Sequence, residues 1–406
     1  MNDAPDLPAE PTYVLLLFAL FVVPKALERF RIPTAVTAFA LGAASGLGLR
    51  WFEHDPTVEL LSAFGIVSLF LFAGLDVELQ ELRRHSRVLL HHLALRLAGL
   101  VATAYGVALL FALEPRPAVL VALALLTPST GFILDSLDGL GLGERERFWV
   151  RSKAIATELL ALGVLFVTLQ STTVLKLAAS AAGLAVMVAL LPRVFRLFAT
   201  AVAPFAPKSE FAFLVMVAIA CALVTRELGV YYLVGAFVVG MAAQRFREHL
   251  PTVGSERMLH AVEAFASFFA PFYFFHAGLE LRREDFGGAA LLSALLFLAV
   301  LLPGRILLVW LPRFGTLRET FREALRVSLP MLPTLVFTLV IVHILRERFA
   351  APPYVLGGLV LYALVTTVLP SILVRVPPPD FDSPALPPLA GAEERGLPTE
   401  RWSLDR

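Results

Sequence analysis

The chain holds a single cysteine, Cys221, among 406 residues, which excludes an intramolecular disulfide and any metal site built from several thiolates. Charged residues are also scarce, at 17% against 58% hydrophobic. A mean hydropathy of +0.78 lies far from that of a soluble domain. No HExxH, P-loop or nucleophile elbow occurs, which argues against a membrane enzyme, and no cofactor or resident metal is expected. The net charge of +1 makes no case for nucleic acid, because most Lys and Arg fall in short loops between apolar runs. The opening Met1-Asn2-Asp3-Ala4-Pro5-Asp6 lacks the basic stretch of a cleaved signal. The first apolar run is therefore expected to be a true first span.

What the chain does have is apolar runs of membrane-spanning length, recurring from Tyr13 to Val374. Charged and Pro/Gly boundaries predict an all-α membrane protein of about thirteen helices. Their centres fall near Leu20, Phe39, Ser68, Leu97, Leu126, Leu160, Ala185, Val217, Phe237, Ala270, Leu298, Val336 and Ala363. Basic residues cluster in alternate loops, as at Lys25/Arg29/Arg31, Arg83/Arg84/Arg87, Arg145/Arg147/Arg151 and Arg313/Arg318/Arg322. By the positive-inside rule the N-terminus is expected outside and the C-terminus in the cytoplasm, in a cell membrane such as a bacterial inner membrane. From Val376 onward the chain is proline-rich without apolar periodicity, and 376–406 is expected to be a disordered tail.

An internal repeat is visible. Phe72-Ala73-Gly74-Leu75-Asp76 closes the third span and Phe275-His276-Ala277-Gly278-Leu279-Glu280 the tenth. After each comes one long span, then a span broken by proline: at Thr127-Pro128-Ser129-Thr130 in the fifth, and at Pro330-Met331-Leu332-Pro333-Thr334 in the twelfth. The units lie an odd number of spans apart, which predicts two inverted-topology repeats with two discontinuous, crossing helices. Matched interrupted helices of this kind mark binding sites in transporters.

The stretch Ser152-Lys153-Ala154-Ile155-Ala156-Thr157-Glu158 places two charges in an apolar run, each costing about 2.5–3.5 kcal/mol on insertion scales. Lys153 is close enough to Arg151 to reach the inner aqueous face. Glu158, turned away by about 140° over five residues, needs another reason to be there. It lies about 10 Å beyond Arg151 at 1.5 Å per residue, and Arg305 lies at similar depth from Arg313. Glu158, Thr157, Thr127, Ser129 and Thr130 form the expected proton- and cation-binding set. Arg305 and Lys153 are fixed charges nearby, and Pro128, Pro330 and Pro333 make the breaks. Unwound carbonyls are expected to ligate a hard cation. Arg96 is expected to pair structurally or to snorkel, and His276 to be a packing histidine.

The chain resembles the monovalent cation:proton antiporter superfamily, in particular its second branch of Kef-type and Nap-type proteins. The resemblance rests on Leu69-Phe70-Leu71-Phe72-Ala73-Gly74-Leu75-Asp76, the Thr127–Thr130 break and the polar pair before Leu159. Further support comes from Val234-Gly235-Ala236-Phe237-Val238-Val239-Gly240, Pro271 through Gly278 and, more weakly, Arg322-Glu323-Ala324-Leu325-Arg326. It implies a homodimer that exchanges Na⁺ or K⁺ for H⁺ by elevator-like movement of a core domain. The core would be 86–170 and 286–375; 11–85 and 171–285 would supply scaffold, dimerising and linker helices. Glu158 falls where the family has its essential Asp, and Arg305 where it has a basic residue. Departures are Thr157 where Asp, Asn or Gln is usual, and Lys153 where some relatives carry an acid. Pro330-Met331-Leu332-Pro333 stands where Kef-type members have a Gly-Gly-Glu segment. Two other readings follow from the residues: a proton-coupled carrier of another, anionic solute, given the surplus of buried positive charge, or a transport-inactive sensor or subunit.

Overall fold

The structure, a computed structural model, describes residues 9–49, 51–77, 86–130, 133, 143–206, 209–229, 231–246, 256–317, 320–321, 325 and 328–373. The tail, Arg83/Arg84, Arg322 and most of the second half of the fifth span lie outside them. Among the described residues there are 13 α-helices. They are α1 (Ala9–Glu28), α2 (Thr34–Ala44), α3 (Pro56–Leu75), α4 (Ser86–Phe111), α5 (Pro115–Leu126), α6 (Glu144–Gln170) and α7 (Val174–Leu197). Then follow α8 (Glu210–Glu227), α9 (Leu233–Phe246), α10 (Glu256–Leu279), α11 (Gly288–Leu317), α12 (Leu335–Phe349) and α13 (Pro353–Leu373). Nine are long and apolar enough to cross a membrane. Only helices satisfy every backbone group in lipid without an edge, which is why so apolar a chain takes this form.

Local chemistry sets the boundaries. The Asp55 carboxylate accepts from Thr57 N (2.8 Å) and Val58 N (3.1 Å) to cap α3, with Pro56 at its first position. Arg116, early in α5, donates to the Thr168 and Leu169 carbonyls that end α6. Its guanidinium lies over the Phe349 ring, 5.4 Å from the centroid.

Packing falls into two groups. α1, α2, α3, α8, α9 and α10 form a first bundle centred on α3 and α10; α4, α5, α6, α11, α12 and α13 form a second. α7 touches both α6 and α9. In the first bundle, glycines bring backbones into contact at repeat-related places. A Cβ on Gly42 of α2 would sit 1.9 Å from Phe275 O of α10, and one on Gly278 would sit 2.2 Å from Phe39 O. The mirror contacts join α3 to α9: Gly74 to Phe237 O at 2.2 Å, and Gly240 to Leu71 O at 2.3 Å. These are the close approaches that small residues allow between helices in lipid. α2 runs on without a break into a π-helical turn, Ser45–Leu49.

This packing makes a prediction. Gly42→Ala and Gly278→Ala should sharply lower the melting temperature of the detergent-solubilised protein, because backbone cannot retreat as a side chain can. Gly106→Ala on α4, where an added Cβ meets nothing within 4 Å, should be neutral or stabilising by up to about 1 kcal/mol.

Candidate functional site

The fifth and twelfth spans break where the prolines stand, and for stated reasons. Thr127 precedes Pro128, which disfavours the α region, and its backbone is extended at φ −80°, ψ 118°. The chain is helical again at Thr130. In the twelfth span a short 3-10 turn, Leu329–Met331, is followed by Leu332-Pro333-Thr334 before α12 begins. The two breaks meet. Ser129 N donates to Pro333 O at 2.8 Å, Val336 N donates to Ser129 Oγ at 3.2 Å, and the Thr338 hydroxyl donates to Ala124 O at 2.8 Å. Orphan groups at one break thus find partners at the other.

Arg305 of α11 closes the crossing. It is 2% exposed and its Nη1 donates to Leu125 O (3.2 Å), Leu332 O (3.0 Å) and the Tyr362 hydroxyl (3.2 Å). Nη2 donates to Met331 O at 2.7 Å, and the Tyr362 hydroxyl itself donates to Leu125 O at 3.1 Å. A fixed cation therefore sits on the carbonyl end of α5, where the helix dipole is negative, and on the carbonyls that follow the 3-10 turn of the second break. The expectation that unwound carbonyls stand ready for a cation changes accordingly: those of Leu125, Met331 and Leu332 belong to Arg305.

Glu158 lies in α6, 6% exposed, with the Thr130 hydroxyl against its carboxyl. Among the described residues that hydroxyl completes no full hydrogen bond of its own. Thr127 and Ser129 are buried beside it in the break, but the Ser129 oxygen is already used by Val336 N. Pro128, Pro330 and Pro333 are buried as well. Thr157 is buried on the adjoining face, its hydroxyl donating to Lys153 O at 2.7 Å; Lys153 itself is half-buried. The structure thus brings Glu158 and Thr130 together and points the Thr157 hydroxyl elsewhere, at its own helix.

Two participants, His92 and Tyr362, were not singled out from the sequence, and a third, Arg96, was given no part in the site. His92 of α4 faces Thr157, Nε2 to Oγ1 3.2 Å. Since the Thr157 proton goes to Lys153 O, the imidazole is the donor. Tyr362 bridges Arg305 to the first break. Arg96, expected to pair or snorkel, is 6% exposed and lies within electrostatic reach of Arg305 and Tyr362. Its Nη1 completes no hydrogen bond among the described residues. Only the four-residue spacing of His92 and Arg96 on one helix face hinted at a role.

Two broken helices crossing beside a buried carboxylate define an inverted-repeat secondary transporter. The description "Sodium/hydrogen exchanger, transmembrane" matches residues 14–376, and the chain belongs to that family. It is 32% identical over 73 residues to the probable Na(+)/H(+) antiporter 3 of Methanocaldococcus jannaschii. That match covers 18% of this chain and spans about a fifth (19%) of the relative's length. In three dimensions it is similar to the sodium proton antiporter MjNhaP1 of the same organism. The TM-score is 0.66 at 14% identity, over 90% of this chain and 95% of that one, a likeness of fold.

Arg305 yields the next prediction. Arg305→Lys loses the planar fork that reaches several acceptors at once, and should destabilise the detergent-solubilised protein by about 2–3 kcal/mol, as for a buried charged donor. Tyr362→Phe should cost about 1 kcal/mol, since Arg305 still holds Leu125 O. Thermal melts of the two variants compare the effects directly.

Proposed function

We propose that this chain exchanges a monovalent cation, with Na⁺ the first candidate and K⁺ the comparison, for protons across a cell membrane. Glu158 is the group that carries each in turn. The observation that supports this most is the burial of that one carboxylate against the crossing of the two interrupted helices, with the Thr130 hydroxyl of the first break facing it.

A buried carboxylate holds a proton or a cation, and binding one expels the other; this competition alone couples the two fluxes. With the Leu125, Met331 and Leu332 carbonyls committed to Arg305, the cation's oxygens come from the Glu158 carboxylate, the Thr127, Ser129 and Thr130 hydroxyls, the remaining carbonyls of the breaks and water, with Thr157 contributing if its hydroxyl turns from Lys153 O. Arg305 stays charged at every pH and holds the crossing rigid while the carboxylate changes state. Lys153, half-buried in the first half of α6, is a neighbouring charge and not the proton carrier. The second bundle is the moving core and the first the scaffold on which two copies associate, with the N-terminus outside.

A second reading has its own observation: among the described residues inside the second bundle, Arg96, Arg305 and half-buried Lys153 accompany a single buried carboxylate, Glu158, which suits a proton-coupled carrier of a small anion. Proton flux in proteoliposomes separates the two, since it should follow added Na⁺, K⁺ or Li⁺ under antiport and added anions otherwise.

On the antiport reading, Glu158→Gln keeps shape and hydrogen bonding but cannot release a proton, so it should fold and fail to exchange. Glu158→Asp should retain partial exchange, and Lys153→Gln should leave exchange measurable. Cation-dependent flux in Glu158→Gln at the wild-type level would remove Glu158 from the site.

A further inference from the structure

The repeated segments that close α3 and α10 end in carboxylates at corresponding places, Ala73-Gly74-Leu75-Asp76 and Ala277-Gly278-Leu279-Glu280. The mirror glycine contacts hold both segments firmly in the first bundle. α3 and α10 run antiparallel, for Glu59 near the start of α3 lines the same cavity as Glu280 at the end of α10. Asp76 is therefore about 25 Å away, at the other face of the pair. Each carboxylate crosses to the second bundle. Asp76 pairs with Arg151 of α6, whose Nη2 donates to its Oδ1 and, at 3.4 Å, to its backbone carbonyl. Glu280 pairs with His343 of α12, Nδ1 to Oε2 3.1 Å.

We propose that Asp76 and Glu280 are positioning residues for transport, latches that hold the second bundle to the first at opposite faces, one through a permanent charge and one through a titratable charge. This rests on the antiport reading. Arg151 stands two turns before Glu158 on α6, about 10 Å along one helix, so the Asp76 latch fixes the depth of the exchanging carboxylate. The Glu280 latch borders a cavity of about 560 Å³ between α3, α8 and α10 on one side and α12 on the other, with Tyr273 in its wall. The Tyr273 hydroxyl reaches Val336 O at 3.4 Å, at the start of α12 beside the crossing. Release of this latch widens the passage toward the site.

The asymmetry lies in the partners. Arginine keeps its proton, whereas imidazole changes charge in the physiological range. Burial pushes the Glu280 carboxyl up, but the His343 hydrogen bond and the charges of His343, His276 and Arg346 outweigh it and hold it below its ordinary value. Glu280 thus stays ionised and His343 decides the pair. The other groups facing them are Glu347 on α12 and Tyr231, Tyr232 and Tyr273, with Glu59 and Arg226 across the cavity. Arg346 is bound to Asp285 at 2.6 Å and the tyrosines stay neutral, so the imidazole is the group that switches. The latch is closed when His343 is protonated and weakens as pH rises.

The test compares pH profiles of exchange in proteoliposomes. His343→Gln should raise the rate at about pH 6 roughly two- to fivefold, the range for a half-exposed ion pair, and leave it near wild type at about pH 8.5. His343→Lys, permanently charged, should keep the rate low across that range. Asp76→Asn should change the rate by one factor at every pH, and Asp76→Glu should restore it. A readout independent of transport uses Ser62→Cys, in the cavity wall, with Cys221→Ala, labelled in detergent by an impermeant maleimide. His343→Gln should speed labelling at the lower pH only. Wild-type profiles for both His343 variants, or unchanged labelling, overturn the latch. Absent exchange in the wild type with pH-dependent labelling intact would instead refute the antiport reading and leave the latch standing.

Discussion

One guanidinium holds the centre of this molecule. Breaking two helices inside a membrane strands carbonyls and amides where water is absent, at several kcal/mol for each unsatisfied group. Arg305 answers for Leu125, Met331 and Leu332 together, while Ser129 and Thr338 tie the remaining loose groups across the crossing. Everything nearby depends on this. Remove the cation, and the breaks lose the reason to stay in register beside Glu158. The charge is fixed by chemistry, so the frame keeps its bonds at every pH.

Much of the architecture was legible because its signals are local. Apolar length marked the spans, prolines marked the breaks, and Glu158 stood out as a carboxylate with no boundary to retreat to. The pairing of the two halves was legible from the repeated Gly-Leu-acid ends. What could not be read was which partner each polar group would take. Arg305 and Leu125 are 180 residues apart, and nothing in either neighbourhood says that arginine would choose carbonyls over a carboxylate. Ser129 reads as a ligand because it is a hydroxyl in a break; that its oxygen also accepts a backbone amide of the other helix has no signal in the sequence. Thr157 looked like one by adjacency to Glu158, yet a helix turns neighbours 100° apart, and its hydroxyl bonds back to Lys153 O as threonines in helices do. His92 and Arg96 face this region from a separate helix, invisible to any reading along the chain.

The two bundles meet their packing needs differently. In the first, glycine backs onto backbone at mirror-related places, leaving little freedom for adjustment. The second has such contacts too, where Gly357 and Gly358 of α13 lie against Asp285 and α11, but it adds polar bonds that reach from helix to helix. Close backbone contact sets how near two helices lie, whereas a directional bond also sets how far each may slide along the other; those bonds fall where the two breaks cross.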